Sequence, residues 1–191
     1  FVTKHLPKAQ IVYDRFHMQS QFGRDVLGVV RLDEARRLKA KEKEILADIT
    51  DDTDKEIKQA IKETAKAEKR EYSKLKKLRW TLLTKGTKLS KDRSEHLQSI
   101  LQDHHNLAVC YAMKEEMRRL YELQDYQQAL DGWTKWFEAA KESNIPALVR
   151  FAIVKKSRIK GLMPESLNCQ TGKEKTHELQ RYCYPCNQDF H

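Results

Sequence analysis

The sequence has little glycine, proline and cysteine, and each shortage excludes a class of protein. Six glycines and four prolines in 191 residues are too few for a loop-rich or β-sandwich protein and favour long helices. Three of the four cysteines lie in the last 23 residues, which does not fit the disulfide framework of a small secreted domain. Apolar runs are far shorter than a membrane span, and no amino-terminal signal pattern is present. We therefore expect a cytoplasmic, largely helical protein with no membrane association.

Positive charge is what the chain has in excess. The formal net charge is +9, the isoelectric point is near 9.3 and charged residues make up 34% of the sequence. Such a balance favours a polyanionic partner, and nucleic acid is the first candidate. A mean hydropathy of −0.80 predicts a thin core with many solvated helix faces. Because the chain starts at Phe1 rather than Met, we expect an internal piece of a longer protein.

A short apolar run ends at an acidic residue near the amino terminus. Residues 9–13 read AQIVY, shortly after Pro7, and predict a strand buried on both faces. Asp14 follows the strand, and the helical pattern after it places His17 on the same face, three residues further on. Catalytic groups gather at the carboxyl ends of strands in sheets covered by helices. The predicted fold class is mostly α, with one short strand near the amino terminus.

Residues 33–79 form a highly charged segment with 15 Lys or Arg and 12 Asp or Glu. Sparse isoleucines at helical spacing and the sequence TDDT at 50–53 predict an antiparallel helical hairpin, with Thr53 capping its second helix. We interpret this arm as a solvated hairpin with many ion pairs rather than a surface that reads DNA. Residues 69–79, with six basic residues against Glu71, are its part best suited to contact phosphates.

Further helices are predicted after Gly86, and the last of them begins at Pro146. Four aromatic residues have the spacing of a buried face and are interpreted as core rather than as base-stacking platforms: Trp133, Trp136, Phe137 and Phe151. The helix that begins at Pro146 carries cations without an acid among them. We expect these cations to face outward and to contact DNA: Arg150, Lys155, Lys156, Arg158 and Lys160.

Four sequence blocks, in order, carry a family resemblance over roughly residues 5–162. They are IVYDRFH at 11–17, RWTLL at 79–83, LAVCYAMKEE at 107–116 and IPALVRFA at 145–152. The first resembles a signature of bacterial insertion-sequence transposases of the ISL-three type. That signature is hydrophobic-hydrophobic-x-Asp-(Arg/Lys)-Phe-His, where x is any residue. The others resemble later blocks of the same family. These are DDE enzymes that cleave and join DNA, and they contain a ribonuclease-H-like α/β core.

The resemblance implies a role for each residue at the amino terminus. Asp14 would be the second acid of the DDE triad and a ligand of Mg²⁺, since clustered carboxylates suit two such cations about 4 Å apart. His17 would orient a metal-bound water or a phosphate; alternatively it packs beside the strand and bonds the backbone. Arg15 would contact a phosphate or, as is commoner, form an ion pair.

The resemblance also implies acids that are missing. The first acid would lie upstream of Phe1, and the third would be a Glu in a Gly-x-x-Glu-Gly-x-Asn setting that this sequence lacks. Glu174 and Glu178 are the nearest candidates in the tail. The tail also contains Cys183 and Cys186 at a spacing that zinc accepts, although we expect disorder there instead.

These observations give one expected function and one alternative. We expect a fragment of a DNA transposase, inactive alone, whose intact form is a Mg²⁺-dependent, nucleoid-associated homo-oligomer acting on transposon ends and target DNA. The alternative is a non-catalytic basic helical module that binds nucleic acid or protein. The expected domains are a partial ribonuclease-H-like core (1–31), a charged helical hairpin arm (32–80), a helical insertion (81–162) and a divergent tail (163–191).

Overall fold

The computed structural model describes residues 14–157, and every regular element in this part of the chain is helical. A π-helical stretch, Gly23–Leu27, joins the first two helices into one rod, and a 3-10 turn, Gly86–Lys88, precedes the fifth. The helices are α1 (Arg15–Phe22), α2 (Gly28–Ala47), α3 (Lys55–Lys77), α4 (Arg79–Leu83), α5 (Lys91–Asp103), α6 (His105–Leu120), α7 (Tyr126–Glu142) and α8 (Pro146–Lys156).

The predicted fold class, a strand within an α/β ribonuclease-H-like core, is wrong. Residues 14–157 contain no strand, and the apolar run at 9–13 lies outside the described residues. A strand needs a neighbouring strand to satisfy its backbone N–H and C=O groups, and the described residues supply none. Asp14 instead begins a helix, because its carboxylate accepts a hydrogen bond from a free amide of the first turn.

The hydrophobic core lies where α1, α6, α7 and α8 meet. Phe22 is fully buried and makes edge-to-face contacts with Phe151 and Trp136, at centroid distances of 5.2 and 6.0 Å. Trp133 and Phe137 are also fully buried, which confirms that the aromatic residues of α7 are core. Edge-to-face rings add to the area they bury, so this cluster joins the first described helix to the last.

α2 and α3 form an antiparallel hairpin whose base enters the core. Lys41 of α2 forms an ion pair with Glu68 of α3. At the base, the buried Arg31 donates from one Nη to the carbonyls of Leu75 and Lys76, both at 3.1 Å, so it satisfies acceptors near the end of α3. The predicted cap is wrong by one residue. Asp54, not Thr53, caps α3.

Two of the sequence blocks meet where α6 packs on the end of α4. Lys114 donates to the carbonyls of Leu82 and Thr84 at 2.8 and 2.9 Å, and Arg118 donates to the carbonyl of Leu83 at 2.8 Å. These cations therefore satisfy three successive acceptors that a five-residue helix leaves without partners. No helix within residues 14–157 has the length and apolar character needed to cross a bilayer. The domain boundaries at 31, 80 and 162 stay a prediction.

Candidate functional site

Asp14 is the N-cap of α1. Its Oδ2 accepts a hydrogen bond from the backbone N–H of His17 at 2.9 Å, and its backbone carbonyl accepts from Met18 N at 3.1 Å. The side chain is exposed, and Oδ1 has no hydrogen-bond partner among residues 14–157. A carboxylate in this position is favoured by the partial positive charge of the helix N-terminus. Asp14 therefore keeps one oxygen available to a ligand while the other holds the helix.

His17 is connected to the far end of the chain through Gln21. Lys155 of α8 donates to Gln21 Oε1, and Gln21 Nε2 lies 2.8 Å from His17 Nε2. An ammonium only donates, so the amide oxygen of Gln21 faces Lys155 and its N–H groups face His17. Nε2 of His17 must then accept, which requires a neutral ring with its proton on Nδ1. The exposed ring thus presents an N–H donor on its other side.

Arg15 forms the ion pair that was the commoner of its two expected roles. Its Nη2 lies 3.2 Å from Glu122 Oε1, and Lys85 Nζ lies 3.1 Å from the same oxygen. Hydrogen bonds from Lys85 and Arg15 lower the pKa of Glu122. Glu122 is therefore already neutralised by two cations and is a poor candidate for a metal ligand.

Tyr121 interacts electrostatically with Asp14, and no sequence pattern selects it as a functional residue. Burial raises the pKa of its hydroxyl well above the usual value, and the negative charge of Asp14 adds to this, against the opposing charge of Arg15. The buried hydroxyl has no hydrogen-bond partner within the described chain. The ring packs edge-to-face on Trp133 at 5.2 Å, so the core fixes its position. Gln21 was also missed, although its spacing of four residues from His17 on a helix places the two side chains on one face.

The described residues do not by themselves fit a divalent cation. No three His, Cys, Asp or Glu side chains cluster anywhere within residues 14–157. Mg²⁺ prefers octahedral oxygen coordination with one or two carboxylates supplied by the protein, and Asp14 offers a single oxygen. The tail candidates Glu174, Glu178, Cys183 and Cys186 lie outside the described residues.

The cations of α8 do not share one outward face as expected. Arg150 and Lys156 are exposed, but Lys155 is only 7% exposed and lies over the ring of Phe151 as well as donating to Gln21. The prediction that Lys155 faces outward is therefore wrong. Arg158 and Lys160 lie outside the described residues. Ile153 is 58% exposed, so the solvent side of α8 is mixed rather than basic.

The chain belongs to the ISL-three family of DDE transposases. The family model, described as a transposase, matches residues 1–164 and so includes Asp14, α1 and all four sequence blocks. The transposase for insertion sequence element IS1001 of Bordetella parapertussis is 30% identical over 162 residues, which cover 85% of this chain and 32% of that protein. This chain thus spans about a third of the length of the curated relative it matches. No solved structure matches the chain.

Proposed function

We propose that the chain takes part in DNA transposition, as part of an enzyme that cleaves and transfers DNA strands. Membership of the transposase family over residues 1–164 is the observation that carries this proposal. The substrates would be transposon ends and target DNA, the acting form a homo-oligomer, and the place of action the bacterial nucleoid. A net charge of +9 is consistent with a polyanionic substrate.

In this proposal Asp14 is one of the three acids of the DDE site and a ligand of Mg²⁺. DDE transposases generally use a divalent metal, and a metal held here would help to activate the attacking oxygen and to stabilise charge at phosphorus. The exposed Oδ1 of Asp14, held on the N-terminus of α1, supports this role. The other ligands would come from residues beyond the described part, so the 191 residues alone would be inactive.

We assign His17 a positioning role in the same site. Its Nε2 is occupied by Gln21, so the ring can offer its Nδ1–H to a phosphate oxygen without a change of tautomer. Arg15 would add positive charge nearby while it bridges to Glu122. On α8, the exposed Arg150 and Lys156 are the proposed DNA contacts; Arg158 would join them, whereas Lys155 acts through Gln21 instead.

The test is a substitution that removes the charge of Asp14 and keeps the helix cap. Asparagine caps helices about as well as aspartate, so Asp14→Asn should fold normally. In a Mg²⁺- or Mn²⁺-dependent strand-cleavage assay, with this chain joined to the sequence that flanks it in its own reading frame, the variant should lose at least about 100-fold in rate.

Asp125→Asn is the matched control. Asp125 is the exposed N-cap of α7 and accepts from Gln128 N at 2.7 Å, so it shares the capping role of Asp14 but lies outside the proposed site. The control should cleave at the wild-type rate. Full cleavage by Asp14→Asn would defeat the assignment of this acid, and cleavage by the 191 residues alone would show that their own acids suffice.

A further inference from the structure

A groove between α3 and α5 concentrates positive charge away from Asp14 and α8. Its volume is about 830 Å³, and neither an acidic residue nor any residue of α1 or α8 lines it. Seven of its lining side chains are basic or imidazole groups from the two helices: Lys66, Lys69, Arg70, Lys74 and Lys77 from α3, and Arg93 and His96 from α5. Two elements that are separate in sequence thus bring their cations to one concave surface.

Four of the six lysines and arginines in the groove have no ion-pair partner among residues 14–157. Lys66 and Lys74 form ion pairs with Glu63 and Glu71 of the same helix. In contrast, Lys69, Arg70, Lys77 and Arg93 make no ion pair with any residue of the described chain. Like charges held together in a concavity repel one another, and a bound polyanion would relieve that repulsion.

The spacing of the cations fits a regular line of phosphates. From Lys66 to Lys77 the lining residues of α3 recur every three or four positions, so they follow one face of the helix. At 1.5 Å per residue this row is about 16 Å long, which matches about five base-pair steps of DNA at 3.4 Å each. Flexible lysine and arginine side chains can each reach a phosphate along such a row.

The groove lacks the features that bind single strands or read bases. No Phe, Tyr or Trp is among its lining residues, so it offers no platform on which an unpaired base would stack. Its polar groups are almost all cationic donors, which suit phosphate oxygens and carry little sequence information.

We propose that the α3–α5 groove binds the sugar–phosphate backbone of double-stranded DNA without reading its base sequence. The identification of the polyanion as DNA rests on the proposed function. The surface is separate from the Asp14 site and from the α8 contacts, and it would hold flanking duplex against the hairpin. Its affinity for DNA is mainly electrostatic and so depends steeply on salt.

The test is the triple variant Lys69→Gln/Arg70→Gln/Lys77→Gln in the 191-residue chain. All three side chains are exposed, so circular dichroism should show an unchanged helical fold. Fluorescence anisotropy with a 20-base-pair duplex of arbitrary sequence should show at least a tenfold loss of affinity. The slope of log affinity against log salt should fall by about 0.9 for each lost phosphate contact, or about 2–3 in all. Arg93→Gln, on the other helix, should weaken binding in the same way.

The control is Lys39→Gln/Lys43→Gln/Lys62→Gln, which removes the same charge from exposed positions of the same hairpin outside the groove. It should lose less than about threefold in affinity, with little change of slope. Equal losses of affinity in both triple variants would overturn the proposal that the groove binds duplex DNA. Failure of the wild-type chain to bind the duplex, or tighter binding to a single strand, would also overturn it. If only the groove variants lose affinity for the duplex, while Asp14→Asn leaves strand cleavage unchanged, the groove proposal stands and the proposed catalytic role of Asp14 is refuted.

Discussion

A single buried lysine, Lys114, stabilises the fold by donating hydrogen bonds to backbone carbonyls. Lys114 is 2% exposed, yet its ammonium donates to two carbonyls at the end of α4 and contacts Glu115 at 2.6 Å. Burial lowers its pKa to about 8, although Glu115 opposes the shift. The residue belongs to the sequence block at 107–116, and its structural role depends on Leu82 and Thr84, about 30 positions earlier.

Lys114→Met should lower the free energy of unfolding by about 2–4 kcal/mol at pH 7, because it leaves two buried carbonyls without donors. The folded-state pKa of about 8 lies below the ordinary lysine value of 10.5, so between these pH values the unfolded chain binds more protons. The contribution of Lys114 to stability therefore rises with pH across this window. In urea unfolding, the difference in free energy of unfolding between the wild type and Lys114→Met should increase from pH 7.5 to 9.5. The exposed Lys141→Met is the control and should stay within about 0.5 kcal/mol of wild type. A difference in unfolding free energy that decreases as the pH rises would contradict this account.

Among the helices, α3 begins at a residue that the sequence does not determine, because several neighbouring side chains could cap it. The run TDDTD at 50–54 offers several side chains that cap helices well. In the structure the Thr53 hydroxyl accepts from Thr50 N at 2.9 Å and closes the turn, which leaves Asp54 to accept from Glu56 N at 2.9 Å. The geometry of the turn, rather than the capping tendency of any one residue, decides where the helix begins.

Asp54→Ala should destabilise the first turn of α3 by about 1 kcal/mol, whereas Asp54→Asn should be nearly neutral because asparagine also caps. Ile57, in this turn, is 56% exposed, so the tip of the hairpin contributes little to the core and the loss should be local. Amide hydrogen exchange is the appropriate measurement. The alanine variant should exchange faster at residues 56–60 and at the wild-type rate in α7. Equal exchange in the alanine and asparagine variants would reject Asp54 as the cap.

At the scale of the whole molecule, the first and last described helices are held together. Phe22 packs against Phe151, and beside them Gln21 accepts from Lys155 across 134 positions of sequence. This contact orients the Gln21 amide, which in turn selects the Nδ1–H tautomer of His17. The candidate site at Asp14 therefore depends on α8. A residue expected to contact DNA is instead part of the support for the site.

Lys155→Met should lower the free energy of unfolding by about 1–3 kcal/mol, because it leaves the buried side of Gln21 without its charged donor. The amide of Gln21 is then free to reverse, and the His17 ring should lose its preference for the Nδ1–H tautomer, visible in imidazole nitrogen chemical shifts. Lys156→Met, at the exposed neighbouring position, is the matched control and should change neither property. If the two variants behave alike, α8 does not position His17.

The helices and the aromatic core could be predicted from the sequence alone, because both follow from the spacing of apolar residues along a short stretch of chain. The period of three to four residues gave the helix from Tyr126 to Glu142, and Pro146 marked the start of the next one. The same short-range reasoning predicted a strand before Asp14 that no described neighbour pairs with, since a brief apolar run fits either structure.

Which charged side chains face solvent and which are buried depends on how the helices pack. Lys155 and Lys114 resemble their exposed neighbours in sequence, and each is buried because a distant helix supplies acceptors for its ammonium group. The α3–α5 groove arises in the same way, from cations about 20 residues apart that share one concave surface. Burial of a charge requires a partner remote in sequence, so local pattern cannot predict it; packing determines it.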